Sequence, residues 1–191
     1  PLCLLAAAAA GWLVGSALTC LYDTILRALR DEPGFWWHTY KRVWKQSFKS
    51  SLVPGMVFTL LWTLVAYAGF ALPQMTTVSA GFTLVLLLDM VLLLTLGSYY
   101  WMQNALFDAP VSKKLSNCVR MLLGFLPRTA LSAVFQLGYW LLMAAVIPRC
   151  AFIFLLTGLW VPNLLAMLAV YAPIEKSLHL EEQIQAKREN D

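Results

Sequence analysis

GFWWHTYKRVWKQSFKS, residues 34–50, sets the fold class of this chain. Trp36, Tyr40, Val43, Trp44 and Phe48 recur at helical spacing, and Lys41, Arg42, Lys45 and Lys49 fill the opposite side. A helix with a bulky aromatic stripe and a cationic stripe lies well at a membrane–water boundary: the rings enter the headgroup layer and the cations stay hydrated or meet anionic lipid. An apolar run from about Leu52 to Leu72 follows directly. At 1.5 Å per residue it is long enough to cross a hydrocarbon core of roughly 30 Å.

The rest of the chain has the same character. Of its 191 residues, 60% are hydrophobic and 13% charged, about half the charged fraction of an ordinary soluble domain. The expectation is an all-α, polytopic membrane helical bundle in one domain, with about five transmembrane helices plus cytoplasmic amphipathic helices. The expected spans are about 2–18, 52–72, 78–102, 128–147 and 150–171. The amphipathic segments are about 34–50 and 111–125, and a charged tail covers 175–191. The chain opens on Pro1 with an apolar run already in progress, so a preceding piece of the first span is expected upstream.

Prolines and glycines punctuate these elements. Asp31-Glu32-Pro33-Gly34 reads as a turn, Pro54 as first-turn proline of the second span, and Pro73-Gln74 as a short uncharged connection. Pro127 opens the fourth span, and Pro148-Arg149 is a tight turn. Pro162 is expected to kink the last span and Pro173 to end it. Arg27, Arg30 and the cations of 41–49 precede the second span, and Lys113, Lys114, Arg120 and Arg128 join the third to the fourth. The turn at 71–77 has no Lys or Arg. The positive-inside bias therefore places the two long connections and the C-terminus in the cytoplasm, with the N-terminal end outside or within the bilayer. The net charge of +4 is accounted for by that topology, and no nucleic-acid partner is expected.

Few residues carry candidate chemistry. Asp89 lies near the middle of the third span, where a carboxylate costs roughly 2.5–3.5 kcal/mol on insertion scales. It reads either as a proton, cation or substrate site or as a protonated or hydrogen-bonded Asp facing Gln136, Asn163 or Thr63. No Lys, Arg or second acid within the spans pairs with it, which favours the structural reading. Gln136 and Asn163 complete the candidate intramembrane polar site as interhelical hydrogen-bonders. Trp62, Trp140 and Trp160 read as packing, and Tyr99, Tyr100 and Trp101 as an aromatic belt. Ala7, Gly11 and Gly15 form a small-residue ridge suited to close helix approach, either within the bundle, which is expected, or as a seam to a second copy. The face Trp36, Tyr40, Lys41, Arg42, Trp44, Lys45, Phe48 and Lys49 is the candidate surface for docking lipid or a partner.

No HExxH, GxSxG, P-loop or GxGxxG motif occurs, and no carboxylate pair sits at catalytic spacing within a span. No catalytic residue, cofactor or metal site is assigned, and the chain is not expected to be an enzyme. Cys3, Cys20, Cys118 and Cys150 form no CxxC and read as structural thiols.

Three stretches together resemble the YesL-like family of bacterial membrane proteins, a domain of unknown function. The first is GSALTCLYDTILRALRDEPGFWWHTYKRVWKQSFKSS, carried by Gly15, Ala17, Leu21, Tyr22, Arg27, Gly34, Phe35, Trp36, Lys45, Phe48 and Lys49. The others are LSNCVRMLLGFLPRTALS and WVPNLLAMLAVYAPIEKSL. Where the family usually has a proline near the end of the first span, this chain has Ala10 and Ser16. The resemblance implies a multi-pass protein of the bacterial plasma membrane, accessory to ABC-type carbohydrate uptake. Permease subunits or the ATPase would then be partners, alongside membrane lipid. The alternatives are a small solute transporter or channel using Asp89, and a membrane scaffold or chaperone.

Overall fold

A helix of 35 residues, Trp36–Phe70, dominates the architecture. It is about 52 Å long, far more than the hydrocarbon core, so its basic third cannot share the bilayer with its apolar two thirds. The amphipathic segment and the following apolar run, expected as two elements, are one continuous helix. Pro54 therefore sits inside it and not in a first turn. Its missing N–H and its ring break only one rung of a ladder that long flanking turns sustain.

The computed structural model describes residues 2–29, 36–70, 72–75, 77, 79–107, 109–146, 157–158 and 160–178. The turn at 31–34, Pro148-Arg149, Cys150 and the tail beyond 178 lie outside the described residues, as do the side chains of Cys3, Ala7 and Trp36. In chain order the helices are α1 (Leu2–Leu29), α2 (Trp36–Phe70), the single turn α3 (Leu72–Met75), α4 (Ala80–Leu106), α5 (Val111–Gly124), α6 (Leu126–Val146) and α7 (Trp160–Leu178). The described chain is all-helical. Two stretches, Trp37–Phe70 and Ala80–Leu106, are long and apolar enough to cross a membrane. The pair formed by α5 and Leu126–Met143 makes a third if taken together, bent by 98° at the break. Among the described residues, two to three helices thus suit a membrane by length and composition; most of the stretch 147–159, which the expected fourth and fifth spans share, lies outside them.

Local chemistry sets the ends. Ser79 caps α4 by accepting a hydrogen bond from the Phe82 N–H at 3.3 Å, satisfying one of the orphan donors of a helix start. The corner between α5 and α6 turns at Phe125, whose carbonyl accepts from the Arg128 and Thr129 N–H groups, each at 3.0 Å. The Thr129 hydroxyl joins the same carbonyl at 3.1 Å and shares a 2.9 Å hydrogen bond with the Tyr99 hydroxyl, which clamps the corner to α4. Pro162 lies in the first turn of α7, where its missing donor costs little; most of the earlier part of the expected last span lies outside the described residues. Pro173 lies within α7, which continues to Leu178.

Packing is uneven along the bundle. The core gathers Tyr22, Ile25 and Leu26 of α1, Tyr99–Met102 of α4, Cys118 and Met121 of α5, and Met167, Val170 and Ile174 of α7. All of it lies at the end where the basic residues of α2 and α5 stand. Tyr99, Tyr100 and Trp101 are buried here and form no lipid-facing belt: Phe58 of α2 packs on Tyr100 and Trp101, the Tyr99 hydroxyl bonds Thr129 of α6, and Cys118 and Met121 of α5 join the same core. Towards the other end, Val53, Val57, Leu61 and Leu64 of α2 and Leu84, Leu87, Leu88 and Leu92 of α4 are exposed. Continuous apolar surface of that extent suits lipid contact and not water.

Candidate functional site

The first constellation starts from the short residues of α1 and α2. A Cβ on Gly15 would stand 2.5 Å from Ser51 O and 2.8 Å from Gly55 Cα, and one on Gly11 would stand 2.7 Å from Met56 Cα. Only glycine permits this approach, and it is α2 of the same chain that fills the Gly11–Gly15 part of the ridge. Close backbones bring their next polar side chains together. The Thr19 and Ser51 hydroxyls lie 3.0 Å apart, and Thr19 Oγ1 also donates to Gly15 O at 2.9 Å.

Asn104, near the end of α4, enters this junction. Its Nδ2 donates to Thr19 Oγ1 at 2.9 Å and to Ser51 Oγ at 2.8 Å, and its Oδ1 accepts from Lys114 Nζ of α5 at 2.7 Å. Thr19 and Ser51 are wholly buried, and Lys114 is only 2% exposed. The ammonium needs acceptors to stay charged at that depth, and Asn104 supplies one of them. Next to it Gln103 Nε2 donates to Cys118 Sγ at 3.2 Å. Burial pushes the Cys118 thiol up to about 12, against the lowering effect of that hydrogen bond. Four helices are thus pinned by one polar network. Lys114 reads in sequence as one more topological cation, and nothing in its spacing singles it out from Lys113.

The basic stretch of α2 keeps its amphipathic form. Lys41, Arg42, Lys45 and Lys49 are exposed, while Val43 and Ser47 are buried. The aromatic stripe runs Trp37, Tyr40, Trp44, Phe48, with centroid separations of 6.1, 6.1 and 6.4 Å. Lys41 Nζ sits 4.9 Å from the Trp37 ring centroid, a cation–π contact. On α5, Lys114, Cys118 and Met121 line the buried edge. Val111, Leu115, Val119 and Leu123 are exposed on the adjoining flank, and Lys113 and Arg120 lie beyond them at 100° per residue. Arg128 continues the exposed charge onto α6.

A cavity of about 570 Å³ opens among α1, α2, α4, α6 and α7. Its wall includes Gln136 and Asn163, with Trp62 and Trp140. Gln136 Nε2 donates to Ser98 Oγ at 3.1 Å and to Ser132 Oγ at 3.2 Å, and Asn163 Oδ1 accepts from the Tyr22 hydroxyl at 2.8 Å. Asp89 is not part of this wall. It lies on the exposed side of α4 beside Leu87 and Leu88, whereas Met90, Leu93, Leu94 and Gly97 face the cavity. The structure therefore joins two of the three intramembrane polar candidates and leaves the third apart. Thr63 turns its hydroxyl to Thr59 O at 2.8 Å. Among the described residues no group of three or more His, Cys, Asp or Glu side chains comes together.

A family profile described as "Protein of unknown function, DUF624" matches residues 5–68. That match spans nearly all of α1 and α2, the helices joined by the Gly11–Gly15 and Gly55 approach, and the YesL-like resemblance is consistent with it. The family is an uncharacterised one. No curated protein and no solved structure matches the chain.

Proposed function

We propose that this protein is a non-enzymatic accessory component of the bacterial plasma membrane that docks a partner on the basic end of its helical bundle. One observation carries the reading: α5 is fastened across that end by the Lys114–Asn104–Thr19–Ser51 hydrogen bonds. The exposed Lys41, Arg42, Lys45, Lys49, Lys113, Arg120 and Arg128 are thereby held on a rigid support. Pre-ordered charge of one sign steers and orients an acidic protein face or anionic lipid. The family resemblance points to permease or ATPase subunits of an ABC-type oligosaccharide uptake system as the protein partner. Five spans, with the N-terminal end outside and the C-terminus in the cytoplasm, complete the proposal.

The transporter reading has less support, since Asp89 lies away from the cavity that holds Gln136 and Asn163. The test is purification of the tagged protein from its native membranes in mild detergent, with partners identified by mass spectrometry. Sugar-permease or ATPase subunits are expected with the native chain and not with Lys41, Arg42, Lys45 and Lys49 all changed to Glu. Recovery of neither component overturns the accessory role. Single cysteines at Gln74 and Lys113, labelled from opposite sides of the membrane, test the topology.

A further inference from the structure

We propose that the cavity is a binding site for an uncharged membrane lipid with one long apolar chain and a hydroxyl head. This rests on the cavity wall and is independent of the docking role.

The shape sets the chain. On α4 the lining runs from Met90 to Trp101, eleven residue steps or about 16 Å along the helix axis. The volume of about 570 Å³ falls within the range of small-molecule pockets, so the space is long and narrow. Phe70 and Val14 also line it, yet they are 78% and 39% exposed. The cavity therefore opens onto the apolar flank of the bundle, and its occupant arrives through the bilayer.

Charge selects the head. Among the described residues no Lys, Arg, His, Asp or Glu lines the cavity. A phosphate or carboxylate would lose its hydration there and gain no counter-charge. A sugar fails for a related reason. Its many hydroxyls need many partners, while Tyr22, Ser98 and Asn163 already bond to protein groups.

One group asks for a donor. The Ser98 hydroxyl donates to Leu94 O at 2.8 Å, so towards Gln136 it can only accept. That turns Gln136 Nε2 to Ser98 and Ser132. It leaves Gln136 Oε1 as an acceptor with no hydrogen bond from the described residues. A single hydroxyl meets that need. Gln136 and Ser98 lie among apolar and aromatic side chains, so the head is held at one place and the chain extends along Leu93 and Met90 towards Phe70.

The test uses the full chain in phosphatidylcholine nanodiscs with a hexadecanol probe carrying a diazirine in its chain, and mass-spectrometric mapping of the photolabel. Label is expected on Trp62, Leu93 and Trp140, displaced by unlabelled hexadecanol at concentrations about tenfold below those of hexadecyl phosphate, a difference of about 1.4 kcal/mol. Gln136→Leu should abolish the advantage of hexadecanol over hexadecane. Gly97→Leu, which fills the space beside Phe58, should abolish cavity labelling. If Gly97→Leu does not fold, the Gln136→Leu comparison decides alone. Label spread equally over the exposed Leu84 and Leu88 and insensitive to competitor overturns the site, and equal competition by hexadecyl phosphate overturns its selectivity.

Discussion

Asn104 is the residue on which the basic end of the bundle depends most directly. It serves two hydroxyls and a buried ammonium at once, so no apolar side chain replaces it without leaving those groups short of partners. Asn104→Leu is expected to destabilise the protein by about 3 kcal/mol, the upper value for a lost hydrogen bond to a charged group. Thermal unfolding in detergent checks this. Asn104→Asp restores an acceptor for Lys114 and should recover much of the loss. Cys118 gives a second test at this scale. It is wholly buried, and with its thiol raised to about 12 the thiolate is scarce at pH 8 and becomes abundant only as pH approaches that value. Maleimide should leave it unmodified in the folded protein and react once SDS unfolds the chain. Asp89 behaves differently, being exposed on the outer side of α4. Asp89→Leu should ease membrane insertion by roughly 2.5–3.5 kcal/mol without lowering the melting temperature, as a glycosylation-mapped insertion assay and a melt would read.

At the scale of elements, the α1–α2 hairpin depends on absent side chains. A Cβ on Gly55 would strike the Gly11 carbonyl and stand 2.8 Å from Gly15 Cα. Both obstacles are backbone, which cannot swing aside. Gly55→Ala is thus expected to cost about 1–3 kcal/mol by overpacking, measured by the same melt. Gly138→Ala, with nothing within 4 Å, should cost none of it. Proline carries the complementary lesson. Pro173 reads in sequence as a stop, yet it lies within α7, which continues to Leu178. A proline's local cost is small beside the packing of Met167, Val170 and Ile174 into the core.

For the whole molecule, the 98° turn between α5 and α6 decides how the bundle sits. If α6 stands along the membrane normal, α5 lies nearly in its plane, with Val111, Leu115, Val119 and Leu123 towards the acyl region and Lys113 and Arg120 towards water. Nitroxides at Leu115 and Leu123 are expected to be more accessible to oxygen than to a water-soluble nickel chelate, and nitroxides at Lys113 and Arg120 the reverse. Equal accessibility at all four positions would rule this orientation out.

Composition and periodicity by themselves determined that the chain is all-helical and suited to a membrane. They also placed the exposed cations of α2 and the amphipathic α5, since apolar runs, 3.6-residue spacing and cation placement are properties of each segment alone. Other features depend on which segments meet. Lys114 looks like Lys113 until Asn104 and the Thr19–Ser51 pair are found beneath it. Tyr99–Trp101 look like a lipid belt until Phe58 of α2 and Thr129 of α6 are found against them, and Asp89 looks like a partner of Gln136 until the rotation of α4 turns it away. A residue's own segment states its polarity, but the helix that packs against it decides whether that polarity is buried, paired or left facing lipid. Only the tertiary structure supplies that neighbour.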